Sequence, residues 1–162
     1  MKIFLGWSSH LPLLIEAFNA TEGDVLELGI GIFSTPLLHW LCFDSKRKLF
    51  SYESEPKYFT MLRSYFSTPT HQAYLVEDWD KTEIERPWGM AFIDHVDYRR
   101  ETEIRRLAKW AKIIVVHDTD PKYNKFYMDE SFTSLFKYRY DYVKASPNTS
   151  AFSNFIDLKF LA

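Results

Sequence analysis

The sequence predicts an α/β protein: an open, mostly parallel sheet with helices on both faces and an antiparallel hairpin at its C-terminal end. Three observations carry this. Short apolar runs alternate with amphipathic segments in the order β-α-β-α-β from Val25 onward. The run Ile113-Ile114-Val115-Val116 is continuous and β-branched, which suits a central parallel strand covered on both faces. From about Phe132 helical spacing gives way to two strand-like stretches.

Taken in order, Ser9 to Ala20 places Leu11, Leu14, Ile15 and Phe18 at helical spacing. Val25 to Leu28 then reads as a short buried strand that runs into Gly29-Ile30-Gly31. A helix follows, with Ser34 or Thr35 as N-cap and Pro36 in its first turn, apolar nearly all round to Phe43. Arg47 to Tyr52 is a second strand ending at Glu53. Glu55 to Phe66 is a helix with Tyr58, Phe59, Leu62, Tyr65 and Phe66 on one side, stopped before Pro69, and His71 to Val76 is a third strand. The polar stretch Glu77 to Pro87 is a loop. Gly89 to Ile93 forms a fourth strand ending in Asp94-His95, and Arg99 to Ala111 a helix with Ile104, Leu107, Ala108 and Ala111 inward. The fifth strand ends in His117-Asp118. Phe136 to Lys144 and Ala151 to Phe160 complete the hairpin around Ser146-Pro147-Asn148.

A chain of 162 residues with 46% hydrophobic and 18% aromatic content is long enough for one domain with a substantial core. The expected division is a short N-terminal helical cover (1–23), the βα units (24–131) and the hairpin (132–162). Twenty basic against 22 acidic residues leave a net charge of −2, which gives no electrostatic reason to expect a nucleic-acid partner. The lone Cys42 excludes an internal disulfide and a multi-cysteine zinc site. The apolar run within Met1 to Trp7 is too short for a signal peptide, and no segment approaches membrane-spanning length, so the expected setting is cytoplasmic and off the membrane.

In open α/β sheets ligands bind beyond the carboxyl ends of the strands, so those ends are the residues to read. They are Glu27 to Gly31, Glu53, Glu77 to Trp79, Asp94-His95 and His117-Asp118. A strand, a glycine turn and a helix start make a nucleotide pocket, because glycine permits sharp turns and close approach while the helix start favours an anion. The dinucleotide fingerprint needs a third glycine where Ser34 stands, and no Gly-Lys-Ser/Thr follows to make a phosphate loop. What remains is Glu53, 22 residues past Gly31 at the end of the next strand, placed to accept from ribose hydroxyls.

Val25-Leu26-Glu27-Leu28-Gly29-Ile30-Gly31 resembles the first motif of the class I S-adenosylmethionine-dependent methyltransferases, a Rossmann-like family, and the likeness extends over nearly the whole chain. The resemblance implies S-adenosylmethionine as cofactor, with Glu27, Gly29 and Gly31 forming its turn and Glu53 as the ribose-binding acid. It implies Asp78 and Trp79 at the adenine, and Ser34 and Thr35 at the methionine carboxylate. Phe92-Ile93-Asp94-His95, with Asp94 beside the pocket, and Ile113-Ile114-Val115-Val116-His117-Asp118-Thr119 are most similar to the small-molecule O-methyltransferase branches. The implied activity is methyl transfer to an oxygen or nitrogen of a small-molecule substrate, with His95, Asp97 and Asp118 as candidate catalytic groups. The alternative is a protein that binds the cofactor without transferring a methyl group.

The departures are equally specific. In catechol-type enzymes an acid after the fourth strand and an Asp-Asn pair after the fifth hold magnesium, with a lysine three residues past the first acid. Here Asp94 and Asp118 match two metal positions, but Thr119 replaces the asparagine and Asp97 replaces the lysine, so both magnesium and lysine catalysis are open. Only 23 residues precede Asp24, and the site is therefore expected either to be open or to be covered by a second copy in a homodimer. Arg99 and Arg100 read as a solvated helix face, His39 as a packing residue, and His117 as a strand-end group near the acceptor.

Overall fold

The structure is a computed structural model that describes residues 5–63, 68–122 and 124–162. Its strands are β1 (Val25–Leu28), β2 (Leu49–Glu53), β3 (His71–Leu75), β4 (Trp88–Ile93), β5 (Ala111–His117), β6 (Tyr138–Tyr142) and β7 (Thr149–Ser153). The helices are α1 (Leu11–Asn19), α2 (Ser34–Ser45), α3 (Pro56–Arg63), α4 (Asp97–Leu107) and the short α5 (Glu130–Thr133). The sheet order is β3-β2-β1-β4-β5-β7-β6, with β1 to β5 parallel and β7 antiparallel to both neighbours. The Rossmann-like class and the terminal antiparallel pair are as the sequence implies. No helix among the described residues is long and apolar enough to cross a membrane.

Alternation along the strands sorts side chains between two apolar layers. Ala91 and Ile93 of β4 join Leu26, Leu28, Ile114 and Val116 in a cluster with Ile104 and Leu107 of α4. Met90 and Phe92 face the opposite layer, with Leu14, Phe18, Leu38, Val115 and Cys42. Each fully buried aliphatic or aromatic side chain contributes about 1.5–3 kcal/mol. That burial holds a strand as short as β1, whose four residues are all buried.

Several boundaries differ from the expected ones, each for a local reason. Phe33, not Ser34 or Thr35, is the N-cap of α2, because both hydroxyls turn inward to Glu27 instead of capping the backbone. Ala111 opens β5 rather than closing α4. The second hairpin strand starts at Thr149 and ends at Ser153, where the Ser153 hydroxyl accepts from the N–H groups of Phe155 and Ile156 and turns the chain. Residues 158–160, expected as strand, belong instead to a 3-10 turn, Leu158–Leu161. Tyr65 and Phe66 lie outside the described residues.

The chain winds from β1 outward to β3, then returns to place β4 on the other side of β1. The β1/β4 border is therefore the switch point at which a crevice opens beyond the strand ends.

Candidate functional site

A cavity of about 600 Å³ opens at that switch point, within the range of small-molecule pockets. Its walls are the turn after β1 (Ile30 to Ser34), Glu53 and Glu55 after β2, Asp94 to Val96 after β4, His117 and Asp118 after β5, and His10 from the N-terminal segment.

The glycine turn is shaped by close approach. Gly29 has φ +99°, and a Cβ there would lie 2.5 Å from the carbonyl carbon of Asp94. Only glycine lets the end of β1 pass this close to the end of β4. Gly31 leaves room for the Ser34 hydroxyl, whose oxygen is 3.0 Å from where a Cβ would stand. Glu53 fixes the turn from the other side: Oε2 accepts from the Ile30 N–H at 2.9 Å and Oε1 from the Glu55 N–H at 2.7 Å. Both carboxylate oxygens keep acceptor capacity toward the cavity.

Beneath the turn, Glu27 is fully buried. Its Oε1 accepts from the hydroxyls of Ser34 (2.8 Å) and Thr35 (2.9 Å), and its Oε2 from Ser51. Burial pushes its carboxyl up to about 7, the three hydroxyls pull it back, and the charge of Glu53 adds to the rise. Glu27 does not line the cavity; it positions α2 beneath it. Of the two hydroxyl residues, Ser34 lines the cavity and Thr35 does not.

Arg100 is 4% exposed and clamps the ends of β4 and β5, contrary to the solvated face its helix position suggests. It donates to the carbonyls of His95 and His117, both at 2.8 Å, to Asp94 Oδ1 at 3.1 Å and to Asp118 Oδ2 at 3.2 Å. Asp97, whose side chain is 66% exposed, pairs with the same guanidinium and stands outside the cavity. Asp118 holds φ +56°, a conformation aspartate tolerates better than most residues. With Arg100 bridging Asp94 and Asp118, this pair does not fit an oxygen-lined magnesium site.

Three histidines meet the cavity wall. His95 Nε2 lies 3.2 Å from Glu103 Oε2 and its ring packs edge-on against Trp79, while Nδ1 is buried without a hydrogen-bond partner. His117 Nδ1 lies 3.2 Å from Asp94 Oδ2, and its Nε2 lies 2.9 Å from Ser9 Oγ, which itself donates to the Pro147 carbonyl. Burial works against a charged His117, but the Asp94 hydrogen bond and the charges of Asp94 and Asp118 outweigh it and raise its pKa. His10 is 2% exposed and neither ring nitrogen has a hydrogen-bond partner. Burial, reinforced by His117, pushes its pKa down to about 4, so the imidazole is neutral.

The structure thus brings Gly31, Ser34, Glu53, Asp94, His95 and Asp118 to one cavity. Asp78 instead lines a second hollow of about 380 Å³ with Tyr52, Tyr74 and Lys81, and Trp79 is packed in the core against His95. His10 and Arg100 carry no local sequence signal for these roles. A hint for Arg100 is the pair of acids, Asp94 and Asp118, at adjacent strand ends facing its helix.

Neither a protein-family model nor a curated protein sequence matches the chain. Solved structures do match it. An O-methyltransferase from Bacillus cereus, in complex with SAH, is similar with TM-score 0.63 at 16% identity, over 94% of this chain and 82% of that one. A precorrin-6y C5,15-methyltransferase from Geobacter metallireducens gives 0.62 at 12% identity, over 88% and 86%. An RNA methyltransferase from Salinibacter ruber, in complex with S-adenosyl-L-homocysteine, gives 0.57 at 12% identity, over 91% and 93%. The chain therefore has the fold of the class I S-adenosylmethionine-dependent methyltransferases.

Proposed function

We propose that this chain binds S-adenosylmethionine in the β1/β4 cavity and transfers its methyl group to an oxygen or nitrogen of a small molecule. The observation that carries the reading is Glu53, an acid at the end of β2 that lines the cavity while bracing the glycine turn across from it. The fold, and neighbours solved with S-adenosyl-L-homocysteine, support it.

The residues present fit such a ligand. Glu53 is the acceptor for ribose hydroxyls, and the start of α2 at Phe33 and Ser34 offers the positive end of a helix dipole to a carboxylate. Glu53 and Glu55 line the cavity outside the Arg100 clamp that holds Asp94 and Asp118, and their charge favours a cation over its neutral product. When bound, S-adenosylmethionine supplies a methyl group already activated on a sulfonium. The chain's own task is then orientation and, for a protonated acceptor, removal of one proton.

Of the candidate catalytic groups His95, Asp97 and Asp118, His95 is the one that keeps a ring nitrogen uncommitted, buried beside the cavity. Glu103 accepts from its Nε2, which leaves the Nδ1 lone pair on a residue that lines the cavity. His117 is committed to Ser9 and Asp94. Binding without transfer is the second reading, favoured by Arg100 occupying the space between Asp94 and Asp118.

The test is incubation with S-adenosylmethionine labelled on its methyl group and a panel of hydroxyl- and amine-bearing small molecules. Label on a small molecule is expected. Label recovered only on added RNA would contradict the small-molecule acceptor, and no label on any acceptor would favour the second reading.

A further inference from the structure

We propose that His10, Asp94 and His117 form a three-ligand site for a divalent transition metal of the zinc class, with its remaining position open to the cavity. Among the described residues they are the one cluster of this kind: each offers one donor atom, and the donors lie within 4.8 Å of one another. All three residues line the cavity.

The donor set distinguishes this site from an oxygen-lined one. Two imidazoles and a carboxylate suit zinc, cobalt or iron, whereas magnesium prefers oxygen ligands throughout. Three protein ligands with one position left over are the pattern of reactive rather than structural zinc sites. The open position takes an anionic oxygen or a thiolate.

Each candidate ligand is prepared for the role from behind. The single Ser9 hydroxyl proton has the carbonyls of Gly6 and Pro147 as acceptors, which suits the tautomer in which His117 Nε2–H donates to Ser9 Oγ and the Nδ1 lone pair is the donor atom on the Asp94 Oδ2 side. Metal-bound histidines are held in this way, by donating the distal N–H to an oxygen. Asp94 Oδ1 is anchored by Arg100, which frees Oδ2 for the cluster. His10 is the independent observation. It is buried against Phe92 and His117, with ring centroids 4.8 and 4.7 Å away, and both its nitrogens lack a hydrogen-bond partner. A buried imidazole with both ring nitrogens unpaired carries an uncompensated desolvation cost. A metal at the centre of the cluster removes part of that cost. Bonds of about 2.0–2.2 Å require the donors to draw in by roughly an ångström, a movement within reach of side-chain rotation.

The experiment uses the full chain, stripped with a chelator and titrated calorimetrically with Zn(II), then loaded with zinc for X-ray absorption. One equivalent should bind, with a first shell containing two imidazoles. His10→Ala should weaken binding by about 100-fold and Ser9→Ala by about tenfold. His39→Gln, in a buried histidine pair on α2 away from the cluster, should leave binding unchanged. Circular dichroism checks that each variant folds; if His10→Ala does not, the absorption spectrum of the unaltered protein decides. Absence of a one-to-one complex, a shell of oxygen alone, or full affinity in folded His10→Ala would overturn the proposal. These readouts need no methyl donor, so they stand apart from the test of transferase activity.

Discussion

Glu53 Oε2 accepts a hydrogen bond from the Ile30 N–H at 2.9 Å, joining the acid at the end of β2 to the turn after β1. One carboxylate therefore shapes the turn and meets whatever occupies the cavity. Glu53→Ala should weaken S-adenosylhomocysteine binding by about 2 kcal/mol, near 30-fold, since hydrogen bonds to a charged group are lost. Asp78→Ala, on the second hollow, should change it less than threefold. Calorimetry on both variants checks this, and equal losses would place the nucleoside elsewhere.

Gly29→Ala should destabilise the fold by about 2–4 kcal/mol. Its φ of +99° and a Cβ 2.5 Å from the Asp94 carbonyl carbon leave no room without moving β1 or β4. Urea unfolding measures the loss. A difference below about 0.5 kcal/mol, the usual size of a surface substitution, would mean the turn is not packed as described.

Glu27 predicts a pH dependence with a definite sign. Its folded pKa of about 7 lies above the ordinary 4.5, so the folded state holds the proton more tightly than the unfolded state does. That contribution is fully present below pH 4.5 and is lost as pH rises through 7. Between pH 5 and 8 the protein should lose about 3 kcal/mol more stability than Glu27→Gln does. Parallel stability profiles for the two proteins would contradict the buried, protonatable Glu27.

Arg100→Met should cost about 3–5 kcal/mol, because it leaves Asp94 and Asp118 near a buried gap without their shared cation. Thermal and urea unfolding give the magnitude. A neutral outcome would mean that the strand ends of β4 and β5 are held by backbone pairing alone.

What the sequence revealed and what it hid divide by range. β1, Gly29 and Glu53 were legible because each rests on local pattern: a four-residue apolar run, a turn residue and the end of the next strand. The N-cap of α2 was misplaced because Ser34 and Thr35 found a stronger partner in buried Glu27, seven and eight residues away. Arg100 looked solvent-facing because periodicity does not show that two carboxylates on separate strands converge on it. His10 was hidden most completely. Its neighbour Ser9 meets His117 across 108 residues of sequence, a contact that exists only once the sheet has assembled.

On the proposed reading the β1/β4 cavity holds an adenosyl sulfonium. Calorimetric titration of the full chain with S-adenosylmethionine, S-adenosylhomocysteine and NADH tests it most directly. Binding of both sulfur nucleosides at micromolar to low-millimolar levels, with none of NADH, is the predicted result. Binding of NADH alone, or of none of the three, would contradict it.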